Sequence, residues 1–315
     1  MQNYAIHVDL IVPIYNDCSK LDNFFEKYAM VREQMSPEID LKLILVDDGS
    51  KDGSIEIITR HANDVRGVTL IELSRNFGKE AALFAGITHS QSDALILIDV
   101  DLQDPIELVP RLVKTWIEKE CDTVVARRSQ NKSGENGVRR KVSRIYLKLF
   151  NRLSSIQIDV NVGETRLINS KMIKSFKLMD ESTRFTRGLL QWLGFKTEYI
   201  DFDRLVSPEK SRFGFIGLLK LAIDGITSFS LIPLRLVAAL GFFGGFFSIM
   251  LGITIVILRL LDVVSIPGYS STILVILFGS SIQLFCMGIL GEYIGKNLEE
   301  SKRRPLYITR NIYQF

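Results

Sequence analysis

The sequence predicts an α/β fold: a mostly parallel, Rossmann-like sheet covered by helices, with two membrane-spanning helices toward the C-terminus. Three observations predict it. Short apolar runs alternate with helical stretches over residues 8–126. Each of those runs ends in polar residues. Two long uncharged stretches then fill most of residues 236–291.

Residues 8–15 read as a strand that stops at Asn16-Asp17, and a helix follows over 19–34. Residues 42–46 form a second strand, ending at Asp47-Asp48-Gly49-Ser50, with a helix opening at Asp52-Gly53-Ser54. The third strand, 68–73, runs into Ser74-Arg75-Asn76-Phe77-Gly78-Lys79 and an Ala-rich helix to His89. The fourth, 94–99, precedes a helix over 105–119, and the fifth, 123–126, ends at Arg127-Arg128. In sheets of this kind, ligands bind beyond the carboxyl ends of the strands. The polar residues cluster there in every case.

The fourth strand ends most abruptly, in Asp99-Val100-Asp101-Leu102-Gln103-Asp104-Pro105. Asp104, Pro105 and Glu107 read as a helix N-cap, first helical position and capping-box partner. That leaves Asp99 and Asp101, which point to the same side of an extended chain. Two adjacent carboxylates repel unless a cation lies between them, and hard oxygen ligands suit Mg²⁺ or Mn²⁺. A cation held by so few protein ligands forms an open site, which commonly also takes substrate phosphates.

From Arg127 to Arg152 there are nine Lys or Arg residues against one acid, Glu135. This run, which contains Arg139-Arg140-Lys141 and Ser143, suits phosphates or anionic lipid headgroups. The formal net charge of +3 is too small to argue for nucleic acid. Cys18, Cys121 and Cys286 have no metal-type spacing and suggest a reducing compartment. His7, His61 and His89 do not cluster as a zinc site. Met1–Asp9 lacks the pattern of a cleavable signal peptide.

Residues 213–229 are apolar apart from Lys220 and Asp224, as in a helix lying at a membrane surface. Leu236–Leu258 carries no charge over 23 residues, enough to cross a hydrocarbon core of about 30 Å. Residues 263–291 are again uncharged, with a span over 271–290. Lys220 and Arg235 precede the spans, and Lys296, Lys302, Arg303 and Arg304 follow them. The positive-inside rule therefore puts the large domain and both termini in the cytoplasm, with two spans in the cell membrane. The expected organisation is a catalytic domain over 1–205, a juxtamembrane region over 206–232, a transmembrane pair over 233–291 and a tail over 292–315.

A cation site, a basic cluster and a membrane anchor together point to a nucleotide-activated donor and a phosphorylated lipid acceptor. The ordered set Val12-Pro13-Ile14-Tyr15-Asn16-Asp17, Val46-Asp47-Asp48-Gly49-Ser50, Ser74-Arg75-Asn76-Phe77-Gly78-Lys79 and Asp99-Val100-Asp101-Leu102-Gln103-Asp104 resembles family 2 glycosyltransferases of the GT-A fold. The tail Gly291-Glu292-Tyr293-Ile294-Gly295, with Arg304-Pro305-Leu306-Tyr307, is similar to the polyprenyl-phosphate glycosyltransferases of bactoprenol and dolichol type.

The resemblance implies that Pro13, Tyr15, Asp17, Val46 and Asp48 hold the nucleotide. It assigns Asp99, Val100, Asp101 and Gln103 to the diphosphate, with Asp99, Asp101 and Gln103 at the metal. Arg127, Arg140, Ser143, Arg166 and Arg212 fall to the phosphates of donor or lipid. It also implies inverting transfer of a hexose, UDP-glucose being the favoured donor and undecaprenyl phosphate the acceptor, and a homo-oligomer, such as a tetramer. Three departures stand out. Asp17 replaces the usual Glu, the usual Gly-Asp-Phe-Arg reads Gly163-Glu164-Thr165-Arg166, and no glycine precedes Ser211-Arg212-Phe213. Glu164 must then do the work of the expected aspartate with one more methylene. Two other readings stay open. A processive polysaccharide synthase would need Gln-x-x-Arg-Trp, whereas Gln191-Trp192 lacks the arginine. A membrane-anchored nucleotide-sugar-binding protein without catalysis is kept open by the altered 163–166 segment.

Overall fold

The computed structural model describes residues 6–129, 161–179, 181, 184–203, 232–261 and 269–315. They fall into two units, one holding the sheet together with residues 304–315, the other holding two long helices. The first unit contains β1 (Ile6–Ile14), α1 (Cys18–Gln34), β2 (Ile39–Asp47), α2 (Ser54–Ala62), β3 (Val68–Leu73), α3 (Lys79–His89) and β4 (Ala94–Leu97). It continues with α4 (Leu108–Lys119), β5 (Thr123–Arg128), β6 (Val162–Asn169), α5 (Ser170–Lys177), α6 (Thr186–Trp192) and β7 (Thr197–Phe202). The second unit holds α7 (Ile232–Leu260) and α8 (Tyr269–Ser301), after which β8 (Thr309–Gln314) rejoins the first.

Eight strands form one sheet in the order β7-β5-β6-β4-β1-β2-β3-β8. The four strands around β1 are parallel, as the alternation of apolar runs and helices demands. Leu10, Val12, Leu43 and Leu45 are fully buried in one core with Phe24 and Tyr28 of α1. Removing each such side chain from water contributes about 1.5–3 kcal/mol. The Tyr28 hydroxyl keeps a partner by donating to the Leu41 carbonyl at 3.2 Å.

Three strands escape a reading by apolar runs: β6, β8 and β7, the last pairing parallel with β5 at one edge of the sheet. β6 lies antiparallel between β4 and β5. Its first half contains Glu164, Thr165 and Arg166, so it has no apolar stretch to announce it. β8 pairs antiparallel with β3, which makes the last residues of the chain a strand of the sheet. Ile308 accepts from the Ser74 N–H at 2.8 Å, and Phe315 exchanges two backbone bonds with Gly67 and Val68. Arg310 and Asn311 both reach the buried Glu72 carboxylate, at 3.1 and 2.8 Å.

The capping box expected at Asp104 does not form. α4 starts at Leu108 with Glu107 at its N-cap. The Asp104 carboxylate instead accepts from the Thr165 hydroxyl at 2.8 Å and faces Arg128 at 3.5 Å. A buried carboxylate needs such partners; β6 brings Thr165 and β5 brings Arg128.

In the second unit, Leu234–Thr254 and Val275–Ser301 are long and apolar enough to cross a membrane. Phe242, Phe243, Phe246 and Phe247 are all exposed on α7, as lipid-facing side chains are. The expected surface helix over 213–229 lies outside the described residues.

Candidate active site

The site gathers at the carboxyl ends of β1, β2, β3 and β4 and at the start of β6. Two loops come first. Asp48, 3% exposed at the end of β2, accepts from the Phe77 and Gly78 N–H groups at 2.7 and 2.8 Å. Asp47 accepts from Gly49 and Ser50 in its own turn. A Cβ on Gly49 would stand 2.7 Å from the Arg75 carbonyl carbon, so only glycine lets these loops meet. Gly78 has φ +98° and turns the chain into α3. Burial pushes both aspartates above the usual carboxylate range, against the pull of their hydrogen bonds.

Lys79, the first residue of α3, carries this framework to the acids. Its Nζ lies 2.7 and 2.9 Å from the two oxygens of Asp99. It also lies 3.0 Å from Oε2 of Glu164 on β6. That second contact has ion-pair distance without hydrogen-bond geometry, and Oε2 is buried with no hydrogen-bond partner. Asp99 and Glu164 are half-buried, while Lys79 is exposed. Burial, with the Glu164 charge, holds Asp99 above its usual range despite Lys79. Burial also opposes ionisation of Glu164, but Lys79, Arg166 and Arg187 outweigh it and hold that carboxyl low. Burial opposes the charge on Lys79 too, yet the two acids overcome it and push its pKa up.

Beyond β4, exposure alternates. Asp99, Asp101 and Gln103 are half-buried, while Val100 and Leu102 are buried. β4 ends at Leu97, and the Leu102 N–H reaches back to the Asp99 carbonyl at 3.5 Å, so Asp99 and Asp101 stand on a turn rather than on the extended chain for which a shared side is expected. Leu102 has φ +54°, a strained conformation for a bulky residue. The Gln103 N–H donates to Asp101 Oδ1 at 3.0 Å.

The remaining expected residues are placed as follows. Pro13 and Val46 are buried and stand opposite each other in the β1–β2 ladder. Tyr15 is 39% exposed. Asp17 is nearly buried and pairs with Lys20 at 2.8 Å. Arg127 makes a two-pronged pair with Asp201 of β7, at 2.7 and 3.1 Å. Arg166 is buried and donates to the carbonyls of Gly163 and Glu164. Burial and then the neighbouring Arg187 push its pKa down to about 10. Arg140, Ser143 and Arg212 lie outside the described residues. Lys79 and Thr165 were missed as site residues. Lys79 sits one residue after a glycine at a strand-to-helix turn, a position that could have flagged it.

Among the described residues, no three His, Cys, Asp or Glu side chains gather as a ready-made metal cage. The donor set nonetheless fits a hard divalent ion at an open site. Asp99 and Asp101 are half-buried carboxylates two residues apart, and the Glu164 carboxylate shares the Lys79 ammonium with Asp99.

The model for glycosyl transferase family 2 matches residues 9–176, more than half of the chain. A bactoprenol glucosyl transferase of Shigella phage SfV is 39% identical over 306 residues, covering 96% of this chain and 98% of that protein. A prophage bactoprenol glucosyl transferase homolog of Escherichia coli K12 is 37% identical over 308 residues, covering 97% and 99%. Strands β2, β3 and β4, most of β1, the loops at their ends and Asp99-Val100-Asp101 lie inside the matched region, and the chain belongs to glycosyltransferase family 2.

Proposed function

We propose that this glycosyltransferase moves a hexose from a nucleotide sugar to a membrane polyprenyl phosphate, with inversion and with the help of a divalent cation. Glucose is the favoured sugar and UDP-glucose the favoured donor. One observation carries the reading: relatives matched over nearly their full lengths are named bactoprenol glucosyl transferases. The likeness covers the sheet and the two apolar helices alike. Such helices would anchor the chain in the bilayer in which a polyprenyl acceptor resides. We place the sheet and both termini on the cytoplasmic side of the cell membrane, where nucleotide sugars are found. The product is a lipid-linked sugar for modification of surface polysaccharide or lipid.

A Mg²⁺ or Mn²⁺ ion held by Asp99 and Asp101, with Gln103 beside them, would neutralise charge on the departing diphosphate. The rest of the work falls to the chain. The loops after β1 and β2, with Pro13, Tyr15, Asp17 and Val46, frame the nucleotide. Asp48 serves them by fixing the loop that precedes Lys79. A lipid phosphate oxygen attacks the anomeric carbon while the bond to the nucleotide oxygen breaks. The nucleoside diphosphate leaves with the bonding pair. A phosphate monoester is largely dianionic at neutral pH, so no strong base has to remove a proton. Catalysis then rests on positioning and charge, with Arg127, Arg140, Ser143, Arg166 and Arg212 assigned to phosphates and Glu164 to the facing wall.

The test is transfer of radiolabelled glucose from UDP-glucose to added polyprenyl phosphate by the purified protein. Label entering organic solvent only when Mg²⁺ or Mn²⁺ is present is expected. A water-soluble polymer would instead indicate a processive synthase. No metal-dependent product from any nucleotide sugar would leave a binding protein.

A further inference from the structure

Lys79 occupies both oxygens of Asp99, the first carboxylate assigned to the cation. A divalent ion approaches carboxylate oxygens to about 2.0–2.2 Å. An ammonium at hydrogen-bond distance from the same two oxygens would then face a double positive charge at close range. We propose that Lys79 is a built-in competitor for the cation. In the cation-free protein it holds Asp99 and Glu164 together, and it leaves Asp99 when a divalent ion binds there. This rests on the reading of Asp99 and Asp101 as cation ligands.

Three features support the exchange. The backbone at Lys79 is anchored, because the preceding Gly78 N–H is tied to Asp48 at 2.8 Å. Only the side chain has to move, and its four-carbon stem gives it that freedom. Glu164 offers a second holder 3.0 Å away, so Lys79 can release Asp99 without losing its counter-charge. The extra methylene of Glu164, relative to the aspartate of the resembled motif, supplies the reach toward Lys79. Glu164 Oε2 also has unused hydrogen-bonding capacity, which a lysine freed from Asp99 can take up.

The experiment measures Mn²⁺ binding to the full-length protein in detergent, with no donor present, by loss of the free-ion electron paramagnetic resonance signal. Lys79→Met is expected to bind Mn²⁺ at least about tenfold more tightly, since charges a few ångströms apart interact by more than that even at an effective dielectric of 20. Lys79→Arg, which keeps the charge, should stay close to the natural protein. Equal or weaker binding by Lys79→Met overturns the competition but not the cation site. No Mn²⁺ binding by either protein, at millimolar ion, overturns both. The unsubstituted protein gives a second readout. Acetic anhydride should modify Lys79 faster with saturating Mn²⁺ than without it, as mapped by peptide mass spectrometry, and unchanged or slower modification contradicts release from Asp99.

Discussion

Two aspartate pairs stand at the carboxyl ends of β2 and β4, on either side of β1, and they are held in opposite ways. Asp47 and Asp48 are buried, and backbone N–H groups of Gly49, Ser50, Phe77 and Gly78 point at their carboxylates. Asp99 and Asp101 are half-buried. One is held by the Lys79 side chain and the other by the Gln103 N–H. Backbone donors cannot leave without refolding the loop, whereas a lysine can swing away. The first pair therefore builds the loops, and the second remains available for exchange with a ligand. Residue type and position at a strand end are alike in the two pairs; the nature of the partner separates them.

Substitution of one member of each pair tests this contrast. Asp101→Ala is expected to lower glycosyl transfer by roughly 10³-fold or more, in the range that loss of a charge-stabilising group costs. The fold and membrane insertion should be untouched, because only one backbone N–H loses its acceptor. Turnover near that of the unsubstituted protein would remove the cation role from this pair. Asp48→Ala should show the reverse profile, with stability affected first. It orphans the Phe77 and Gly78 N–H groups, which costs about 1–3 kcal/mol for each donor left buried. A thermal scan in detergent should show a lower midpoint, and the donor KM should rise as the loop before Lys79 loosens. An unchanged midpoint would mean that the latch contributes nothing.

The contrast also explains which parts could be read from residues alone. The five strands with apolar runs and both long apolar helices announce themselves by pattern, and Asp99-Val100-Asp101 by its spacing. The different roles of Asp48 and Asp99 do not, because each depends on a partner far along the chain, 29 and 20 residues away. Strand β6 hides for a related reason. Its Thr165 and Arg166 are buried polar residues, satisfied by Asp104 and by backbone carbonyls that no local pattern reveals. Strand β8 is nearly all polar or exposed, and its place is set by the free edge of β3 and by Glu72. At the end of β4, the rule that reads Asp-Pro-x-Glu as a helix start yielded to a longer-range bond from Thr165.

Glu72 is an intermediate case that sharpens the comparison. It is buried like Asp48 but held by side chains, Arg310 and Asn311 of β8. Asn311→Ala removes the 2.8 Å bond to Oε2. Hydrogen bonds to charged groups contribute about 1.5–3 kcal/mol, and the remaining Arg310 should keep the loss toward the lower end. The thermal midpoint should fall by less than in Asp48→Ala, with kcat nearly unchanged. A fall as large as that of Asp48→Ala would show that side-chain partners can build as firmly as backbone ones.

The smallest effect is expected where the partner is exchangeable and the acid is exposed. Asp201 accepts two hydrogen bonds from Arg127, and that bonding holds its carboxyl below the usual range. A lowered folded-state value means that the pair supports the fold above the unfolded-chain pKa of about 3.9. The support is lost as pH falls through the folded value. Asp201→Asn should therefore leave the thermal midpoint at pH 7 nearly unchanged, since exposed ion pairs contribute little. The small difference from the unsubstituted protein should vanish as the pH drops below that window. Arg127 is assigned to a phosphate, so freeing it from Asp201 should lower the KM for the phosphate it meets. A raised KM would mean that Asp201 positions Arg127 for the substrate, and this pair would then belong with Asp48 among the builders.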